Sequence, residues 1–437
     1  MLFSLHKLEI DVLNGMQEDM LHTVPRERQV VLLSPTGSGK TLAYLLPLLQ
    51  LLDAESDEGA ALILVPSREL AQQTEAVARK LTPELRILAC YGGRPAMDEH
   101  RLIRAQRPHI IVGTPGRVLD HIGKQNFEAE RVRFLVIDEF DKCLELGFHE
   151  QMRAILGALR NVGRRILLSA TDCPQIPDFM PMGNPCRLDY LDASSRTSDR
   201  IHLRVLHSPE KDKLRTLYDL LCMLGAESSM VFVNYRESVE RVGEYLRRMD
   251  IPAALFHGGM EQRDRERALF RFSNGSANVL VTTDLASRGL DIADIGHIIH
   301  YHLPLNEEAF IHRNGRTARW DAEGDACLIL GPEERVPEYI GAMPETLSLP
   351  RHLPSPAKPQ WVTLYIGKGR KDKINKVDIV GFLSKVGGLR REELGRVDVL
   401  PGWAFAAVAR RVAGDLLARV RGQKIKGIKT IFALAEE

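Results

Sequence analysis

The chain has 437 residues, of which 44% are hydrophobic and 27% are charged, and its formal net charge is +1. This composition excludes a disordered chain, a collagen and a coiled coil, and the length predicts two or three domains. The sequence holds no apolar run long enough to cross a bilayer, and its six cysteines include no C-x-x-C pair. We therefore expect a cytoplasmic protein with no membrane segment, disulfide scaffold or zinc knuckle.

The small net charge conceals an uneven distribution. From Thr363 to the C terminus there are 16 basic and 8 acidic residues, a net charge of +8, so the rest of the chain carries −7. A basic end is typical of a nucleic-acid-binding appendage, and equally of a solvated lysine-rich surface. Charge alone leaves both interpretations open.

Short apolar runs alternate with longer amphipathic stretches through the first three quarters of the chain. Such runs are typical of strands that are buried on both faces of a parallel sheet covered by helices. The sequence therefore predicts two successive α/β domains. Their predicted strands are 29–33, 61–65, 110–112, 134–138 and 165–169, and then 230–233, 253–256, 279–282, 297–301 and 327–330.

Polar and proline-rich segments predict the domain boundaries. We place a first domain at 1–192, a linker at 193–199, a second domain at 200–345, a proline-rich connector at 346–360 and a third domain at 361–437. The third domain has the pattern β-α-β-β-α-β, which predicts a small α+β fold with helices on one face of a sheet, as in RRM-type RNA binders.

Aromatic residues of the third domain alternate along a predicted strand. This alternation places Trp403 and Phe405 on one face, which Tyr365 would share. They either stack bases on an open sheet face or face the helices as core. We favour the core position for Phe405.

The first predicted strand runs into a glycine-rich loop and then a helix, with the sequence SPTGSGKT at 34–41. Strand, loop and helix in this order are the context of a P-loop, and an ordinary glycine-rich turn is the alternative. Lys40 would reach the β- and γ-phosphates of ATP, and the Thr41 hydroxyl would bind Mg²⁺. The predicted phosphate-binding residues are Thr36, Gly37, Ser38, Gly39, Lys40 and Thr41.

A second apolar run ends in two carboxylates, Asp138 and Glu139, at the mouth of a buried strand. Ligands bind at this edge of open α/β sheets. Asp138 would hold Mg²⁺, usually through water, and Glu139 would orient or deprotonate the attacking water. A helix N-cap with an acidic first turn is the alternative, which the presence of Lys40 disfavours.

Further motifs follow in a fixed order. They are PSRELA at 66–71, TPGR at 114–117, DEFD at 138–141, SAT at 169–171, DLASRGLD at 284–291 and HRNGRTAR at 312–319. Together with SPTGSGKT, this set resembles the DEAD-box RNA helicases over about residues 10–345. The resemblance implies two RecA-like parallel-sheet domains in tandem, ATP and Mg²⁺ as cofactors, and an RNA-dependent ATPase, which we expect to be a monomer.

The resemblance also implies roles at the nucleotide. Gln17 would read the adenine, and Asp291 would contact the nucleotide from the second domain. Arg316 and Arg319 would be arginine fingers that reach the γ-phosphate only when the second domain closes on the first. Hydrolysis would then depend on closure.

Other positions resemble the residues that bind RNA or that couple RNA to ATP. Ser169 and Thr171 would be the coupling residues. Phe140 stands where the family has alanine, and we expect it to crowd the region between Asp138 and the SAT motif and so to weaken coupling. The implied contacts to the RNA backbone are Arg68, Gly93, Thr114, Arg117 and Thr283.

Two basic clusters in the third domain resemble the C-terminal domain of DbpA-type bacterial helicases, which implies recognition of structured large-subunit ribosomal RNA. Their RNA-binding candidates are Lys368, Arg370, Lys371, Lys424 and Lys426. The hypothesis is an ATP-dependent RNA helicase that acts on 23S rRNA in the pre-ribosomal large subunit. The alternatives are a general RNA remodeller in cold adaptation or mRNA turnover, an ATP-dependent RNA clamp with little unwinding, and a DNA helicase, against which the RNA-type motifs count.

Overall fold

The computed structural model describes residues 5–8, 10–35, 37–52, 60–93, 95–145, 147–171, 176–180, 182–191, 201–284, 292, 295–317, 324–341 and 343–435. Residues up to 200 form one compact unit, and residues from 201 onward, except 288–293 and 318–323, form a second. Across these described ranges, every helix is too short or too polar to span a membrane.

The first unit is built on a parallel sheet of seven strands in the order β3-β4-β2-β5-β6-β1-β7. Its strands are β1 Gln29–Leu33, β2 Ala60–Leu64, β3 Ile87–Cys90, β4 Ile110–Gly113, β5 Val132–Ile137, β6 Arg164–Ser169 and β7 Cys186–Asp189. Its helices are α1 Gly15–Thr23, α2 Lys40–Leu51, α3 Arg68–Leu81, α4 Ala96–Gln106, α5 Pro115–Gly123, α6 Phe140–Glu145 and α7 His149–Ala158. Every residue of β2, β3 and β4 is buried, as helices on both faces of the sheet require.

The second unit begins with another parallel sheet, in the order β10-β11-β9-β12-β13-β8-β14. Its strands are β8 Ile201–His207, β9 Ser229–Val233, β10 Ala253–Phe256, β11 Val279–Thr283, β12 His297–His300, β13 Gly324–Leu330 and β14 Glu345–Thr346. Its helices are α8 Leu214–Leu224, α9 Arg236–Arg248, α10 Gln262–Ser273 and α11 Glu307–Asn314. After β14, the N–H of Leu347 donates to the Val205 carbonyl at 2.7 Å, and Leu347 and Leu349 pack on the core, so this part of the connector is bound to the sheet.

The C-terminal part of the second unit is a four-stranded antiparallel sheet in the order β16-β17-β15-β20. Its strands are β15 Trp361–Ile366, β16 Leu394–Val399, β17 Ala404–Ala409 and β20 Phe432–Leu434, and its helices are α12 Lys376–Lys385 and α13 Ala413–Val420. A small hairpin, β18 Lys424–Ile425 and β19 Ile428–Lys429, precedes the last strand. Ala404, Ala406 and Val408 lie in the core with both helices.

The opposite face of this small sheet is covered by helix α10 of the preceding α/β domain. The Phe405 ring stacks on the Phe270 ring with centroids 5.2 Å apart, and the Arg263 guanidinium lies 4.7 Å from the Tyr365 ring centroid. Arg263 also lies 5.8 Å from the Trp403 ring centroid. Phe405 is buried, as expected, but the prediction that it faces the helices of its own domain is wrong.

Polar contacts extend the same interface. The side-chain amide of Asn274 donates to the Thr363 hydroxyl at 3.0 Å, and that hydroxyl donates to the Ser276 hydroxyl at 3.0 Å. Thr363 is fully buried. Because the buried Thr363 hydroxyl is hydrogen-bonded to Asn274 and Ser276 across the interface, these bonds favour one register between the two domains. The sheet face that stacks bases in open RRM-type domains is therefore occupied within this protein.

The predicted fold class is confirmed, with two parallel α/β domains followed by a small α+β domain. The sequence missed strands β3, β7, β8 and β14 and the hairpin β18–β19. These are short or sit at or next to a sheet edge, where the apolar pattern is weakest.

Candidate nucleotide and RNA sites

The glycine-rich loop folds into a tight cradle between β1 and α2. The Lys40 ammonium, at the first position of α2, donates to the carbonyl oxygens of Ser34 and Pro35 at 2.7 and 2.8 Å. Gly39 has φ of +90°, and a Cβ there would lie 2.5 Å from Nε2 of Gln17. Glycine is therefore required on two grounds, backbone conformation and close approach. Thr36 lies outside the described residues.

Helix α1 holds Gln17 directly behind this loop. Asn14 caps α1, and its side-chain amide also donates to the Ser38 carbonyl at 3.1 Å. The Gln17 amide donates to the Gly39 carbonyl at 3.4 Å and is buried. The predicted adenine-reading residue is thus anchored on the backbone of the phosphate loop.

The two carboxylates follow β5, on the same edge of the sheet. Burial raises the pKa of Asp138, and the positive charge of Lys40 opposes that rise. The N–H of Glu139 donates to Oδ1 of Asp138 at 2.9 Å, and Glu139 has φ of +47°. The first carboxylate is therefore held by the backbone N–H of the residue that follows it.

Tyr44 is a site residue that sequence reasoning missed. Its hydroxyl is buried and lies 3.5 Å from the Thr74 hydroxyl, and burial together with the negative charge of Asp138 raises the pKa of this phenol. A single polar group inside the apolar run 42–49 was the available signal. Tyr44 therefore lies beside Asp138, one of the two predicted magnesium ligands, whose oxygen atoms are the type that Mg²⁺ prefers.

The SAT motif is joined to both halves of the nucleotide site. The Ser34 N–H donates to the Ser169 carbonyl at 3.0 Å, and the Thr171 hydroxyl donates to Oδ2 of Asp141 at 3.2 Å. Phe140 belongs to the buried cluster that contains Val118. It therefore contributes to the core, and the bond from Thr171 to Asp141 is made in its presence, which differs from the crowding that we expected.

The RNA-binding candidates of the first unit follow β2, β3 and β4 at one edge of the sheet. Arg68 begins α3, and its guanidinium lies 3.4 Å from the place of a Cβ on Gly92. Gly93 has φ of +89°, and Thr114 caps α5, its N–H donating to the Cys90 carbonyl at 3.1 Å. Neighbouring parallel strands thus bring Arg68, Gly93, Thr114 and Arg117 together.

In the second unit, a buried arginine organises the ends of the strands. Arg313 binds both carboxylate oxygens of Asp284 at 2.6 and 2.7 Å, the Asn234 side chain at 2.8 Å and the His302 carbonyl at 2.7 Å. Sequence reasoning quoted the motif but gave Arg313 no role. A fully buried, bidentate arginine orients the segments on which other motif residues lie.

The remaining candidates of the second unit lie around this arginine. Thr283 ends β11 directly before Asp284, and Arg316 follows α11. Asp291 and Arg319 lie outside the described residues. The structure therefore places Thr283 and Arg316 on the segments that Arg313 joins.

Asn314, which replaces the usual isoleucine, has a defined partner. Its Oδ1 accepts from Nε2 of His300 at 3.0 Å, and the His300 ring lies between the rings of Phe232 and Phe310. Burial and the charge of Arg313 lower the pKa of His300 to about 3, and burial lowers the pKa of His302 to about 4. Both rings are therefore neutral in the folded protein at pH 7.

We expect these two histidines to make the fold acid-sensitive. Below about pH 6.5 these histidines bind protons in the unfolded chain but not in the folded chain. Each histidine therefore lowers the free energy of unfolding by about 1.4 kcal/mol for each pH unit that the pH falls. Replacing His300 by Gln, whose amide can still donate to Asn314, should remove about half of this slope between pH 6 and pH 5. Urea unfolding at several pH values measures it. The matched control is His352→Gln, at an exposed position; equal slopes in all three proteins would refute the expectation.

The two basic clusters of the third domain meet at one end of the sheet. Lys426 donates from Nζ to the Lys373 carbonyl at 3.2 Å and to Asp378 at 3.2 Å. Lys368 pairs with Asp372 at 2.8 Å, which holds the pKa of that carboxyl below its usual value. Arg370 donates to the Val399 carbonyl at 2.8 Å.

Lys371 and Lys424 are both exposed cations of these clusters. Gly369 allows their loop to close tightly, since a Cβ there would lie 2.2 Å from the Leu400 carbonyl oxygen. The clusters thus form a basic surface, defined here as loop 368–373 and hairpin 424–429.

A P-loop α/β unit and a second parallel-sheet unit with an arginine motif define a nucleoside triphosphatase of the two-domain helicase class. Family models agree with this class. Residues 14–176 match the DEAD/DEAH box helicase model, residues 212–321 match the helicase conserved C-terminal domain, and residues 363–432 match the DbpA RNA binding domain. The chain belongs to the DEAD-box family of ATP-dependent RNA helicases.

Similar proteins cover nearly the whole chain. The ATP-dependent RNA helicase DbpA of Escherichia coli is 33% identical over 98% of this chain and 95% of its own length. DbpA of Bacillus subtilis is 31% identical over 94% and 92%. The Saccharomyces cerevisiae Dbp5 structure bound to RNA and ADP BeF3 shares the fold, with a TM-score of 0.68 and 24% identity over 78% of this chain and 92% of that one. The protein is thus an RNA-dependent ATPase with two RecA-like domains and a DbpA-type RNA-binding domain.

Proposed function

We propose that the protein locally unwinds or remodels structured RNA, and that its RNA is 23S rRNA during assembly of the large ribosomal subunit. The observation that carries this proposal is the basic surface of the third domain, where the Lys426 side chain joins the two clusters. The match of residues 363–432 to the DbpA RNA binding domain supports RNA as its target, and the resemblance to DbpA-type helicases implies that this RNA is structured ribosomal RNA. A surface formed by loops suits a folded RNA, because lysines there can follow a bent phosphate backbone.

The proposed reaction is ATP hydrolysis at the phosphate loop. Lys40 and the backbone of residues 36–39 would bind the phosphates, and Glu139 would orient or deprotonate the attacking water. Mg²⁺ held by Thr41 and Asp138 would neutralise phosphate charge when bound. We propose that the second domain contributes Arg316 and Arg319 to the γ-phosphate, since an arginine finger is typically worth about 10³–10⁵ in rate.

The nucleotide would also be contacted outside the phosphates. We propose that Gln17 reads the adenine and that Asp291 contacts the nucleotide from the second domain. Ser169 and Thr171 would report the nucleotide state to the RNA site, and their hydrogen bonds to the P-loop and to Asp141 support this role.

Energetics limit the unwinding that one cycle can achieve. Opening a base-pair step costs roughly 1.4 kcal/mol, and coupling between two sites is typically about 1–3 kcal/mol. ATP binding can therefore separate only a few base pairs, after which the remaining strand dissociates spontaneously. Hydrolysis would reset the enzyme, so we propose local strand separation without processive movement.

The test compares ATPase rates without RNA, with tRNA and with 23S rRNA. Selective stimulation by 23S rRNA is the expected result. Equal stimulation by tRNA would favour the general remodeller, and stimulation without release of a short labelled strand would favour the RNA clamp. Deleting residues 361–437 is a poor variant, because it would expose Phe270 and Ser276, which the third domain covers.

We further propose that the protein acts in the cytoplasm as a monomer. The cysteines of the described ranges are all free thiols, most of them buried, which suits a reducing compartment. Light scattering with and without RNA measures the molar mass of the protein, and we expect the mass of a monomer.

A further inference from the structure

A buried carboxylate lies directly behind Arg117 in the first unit. Glu99, on α4, is only 3% exposed. Its Oε2 lies 3.6 Å from Nε of Arg117 and 3.1 Å from Nε2 of His121, and its Oε1 accepts from the Tyr91 N–H at 3.4 Å. Neither Glu99 nor His121 belongs to a motif identified from the sequence.

The groups around Glu99 show which atoms donate hydrogen bonds to its carboxylate. The side-chain amide of Asn126 lies 3.4 Å from Nδ1 of His121 and donates to it, which leaves Nε2 as the donor to Glu99. A carboxylate removed from water is tolerated only where donors and positive charge surround it. His121 and the Tyr91 N–H supply hydrogen-bond donors, and Arg117 supplies positive charge. The Glu99 carboxylate therefore holds these three groups in place.

A metal ion is the other use for such a cluster, since ligand atoms of Cys90, Glu99 and His121 lie within 4.8 Å of one another. The hydrogen bonds argue against it. Nδ1 of His121 is already occupied by Asn126, and Nε2 carries the proton that Glu99 accepts. The cluster is therefore a closed hydrogen-bond network.

The network joins two loops that carry RNA-binding candidates. Tyr91 immediately precedes Gly92 and Gly93, while Arg117 lies one turn into α5, which Thr114 caps. Glu99 holds the backbone of the first loop and the guanidinium of the second with its two oxygen atoms. We infer that Glu99, oriented by His121, is a positioning residue that sets Arg117 for the RNA phosphate backbone. This inference rests on the proposed RNA role of Arg117.

The test is a double-mutant cycle. Glu99→Gln keeps the shape and an acceptor for Tyr91 but removes the charge. Binding of a fluorescein-labelled oligouridylate, with a non-hydrolysable ATP analogue present, is measured by anisotropy for the wild type, Glu99→Gln, Arg117→Ala and the double variant. We expect Glu99→Gln to weaken RNA binding about 5–10-fold and to raise the KM for RNA in ATPase assays similarly. The RNA-independent ATPase rate and the KM for ATP should stay unchanged.

In the Arg117→Ala background, Glu99→Gln should add less than about twofold, because its target is gone. Independent, multiplying effects would overturn the inference. His121→Gln is a second variant that should act in the same direction and also lose its effect without Arg117. The matched control is Glu75→Gln, which neutralises a carboxylate paired with Arg79 elsewhere in the same unit.

The outcomes separate this inference from the proposed function. If Arg117→Ala binds the oligouridylate as the wild type does, the RNA role of Arg117 fails. If Arg117→Ala weakens binding and neither Glu99→Gln nor His121→Gln does, only the positioning role fails. Thermal melting of each variant shows whether a loss of folding explains a loss of binding.

Discussion

Replacing Glu139 by Gln should slow ATP hydrolysis by about 10²–10⁴-fold while ATP-dependent RNA binding persists. The N–H of residue 139 holds Asp138, and this bond does not depend on the side chain at 139. The backbone there is left-handed, which Gln tolerates about as well as Glu. The variant therefore keeps the turn, Asp138 and Lys40, and loses only the carboxylate that we propose as the group that handles the water.

Single-turnover hydrolysis of radiolabelled ATP measures the rate, and RNA retention with ATP measures the binding. A prolonged complex between the variant, ATP and RNA is expected, because in the proposed cycle hydrolysis is the step that resets the enzyme. Glu150→Gln, at an exposed glutamate paired with Arg153, is the matched control. Hydrolysis by Glu139→Gln within a few-fold of the wild-type rate would show that another group handles the water.

Neutralising Lys371 and Lys424 together should weaken binding to 23S rRNA fragments about tenfold at low salt. For each phosphate group that a lysine no longer neutralises, the slope of log affinity against log salt should fall by about 0.7–0.9. Both lysines are exposed, so their removal should leave stability within about 0.5 kcal/mol. Affinity titrations at several salt concentrations check both quantities.

Lys426→Ala provides a contrast within the same surface. Because Lys426 ties the hairpin to the Lys373 carbonyl and to Asp378, its removal should lower both stability and RNA affinity. Lys385→Ala, at the far end of α12, is the control with the same loss of charge. If it reduces the salt slope by half as much as the Lys371 and Lys424 pair does, which is the same effect for each lysine removed, RNA binding follows net charge and not the basic surface.

Sequence reasoning succeeded where the determinants are local. Consecutive residues determine the order of strand, glycine-rich loop and helix around Lys40. Consecutive residues also determine the alternation that places Trp403 and Phe405 on one face, and the apolar run that ends in Asp138. The hydrogen bond between Asn314 and His300 could not be predicted in this way, because it joins a helix to a strand of the folded sheet.

The features that sequence reasoning missed depend on contacts between distant segments. Thr363 is bonded to Asn274, 89 residues earlier in the chain. Alternation could place Phe405 on a face of its sheet, but it could not say that Phe270 covers that face. Tyr44 and Glu99 were overlooked for the same reason, since each acts on a residue far from it in the chain.

The contact between helix α10 and the small sheet bears on how such enzymes can be recombined. The C-terminal domain is not a portable module, because its aromatic face is complementary to Arg263 and Phe270 of its own neighbour. A chimera that grafts residues 361–437 onto a different motor should inherit the RNA preference without its fixed orientation, unless segment 262–276 is transplanted with it.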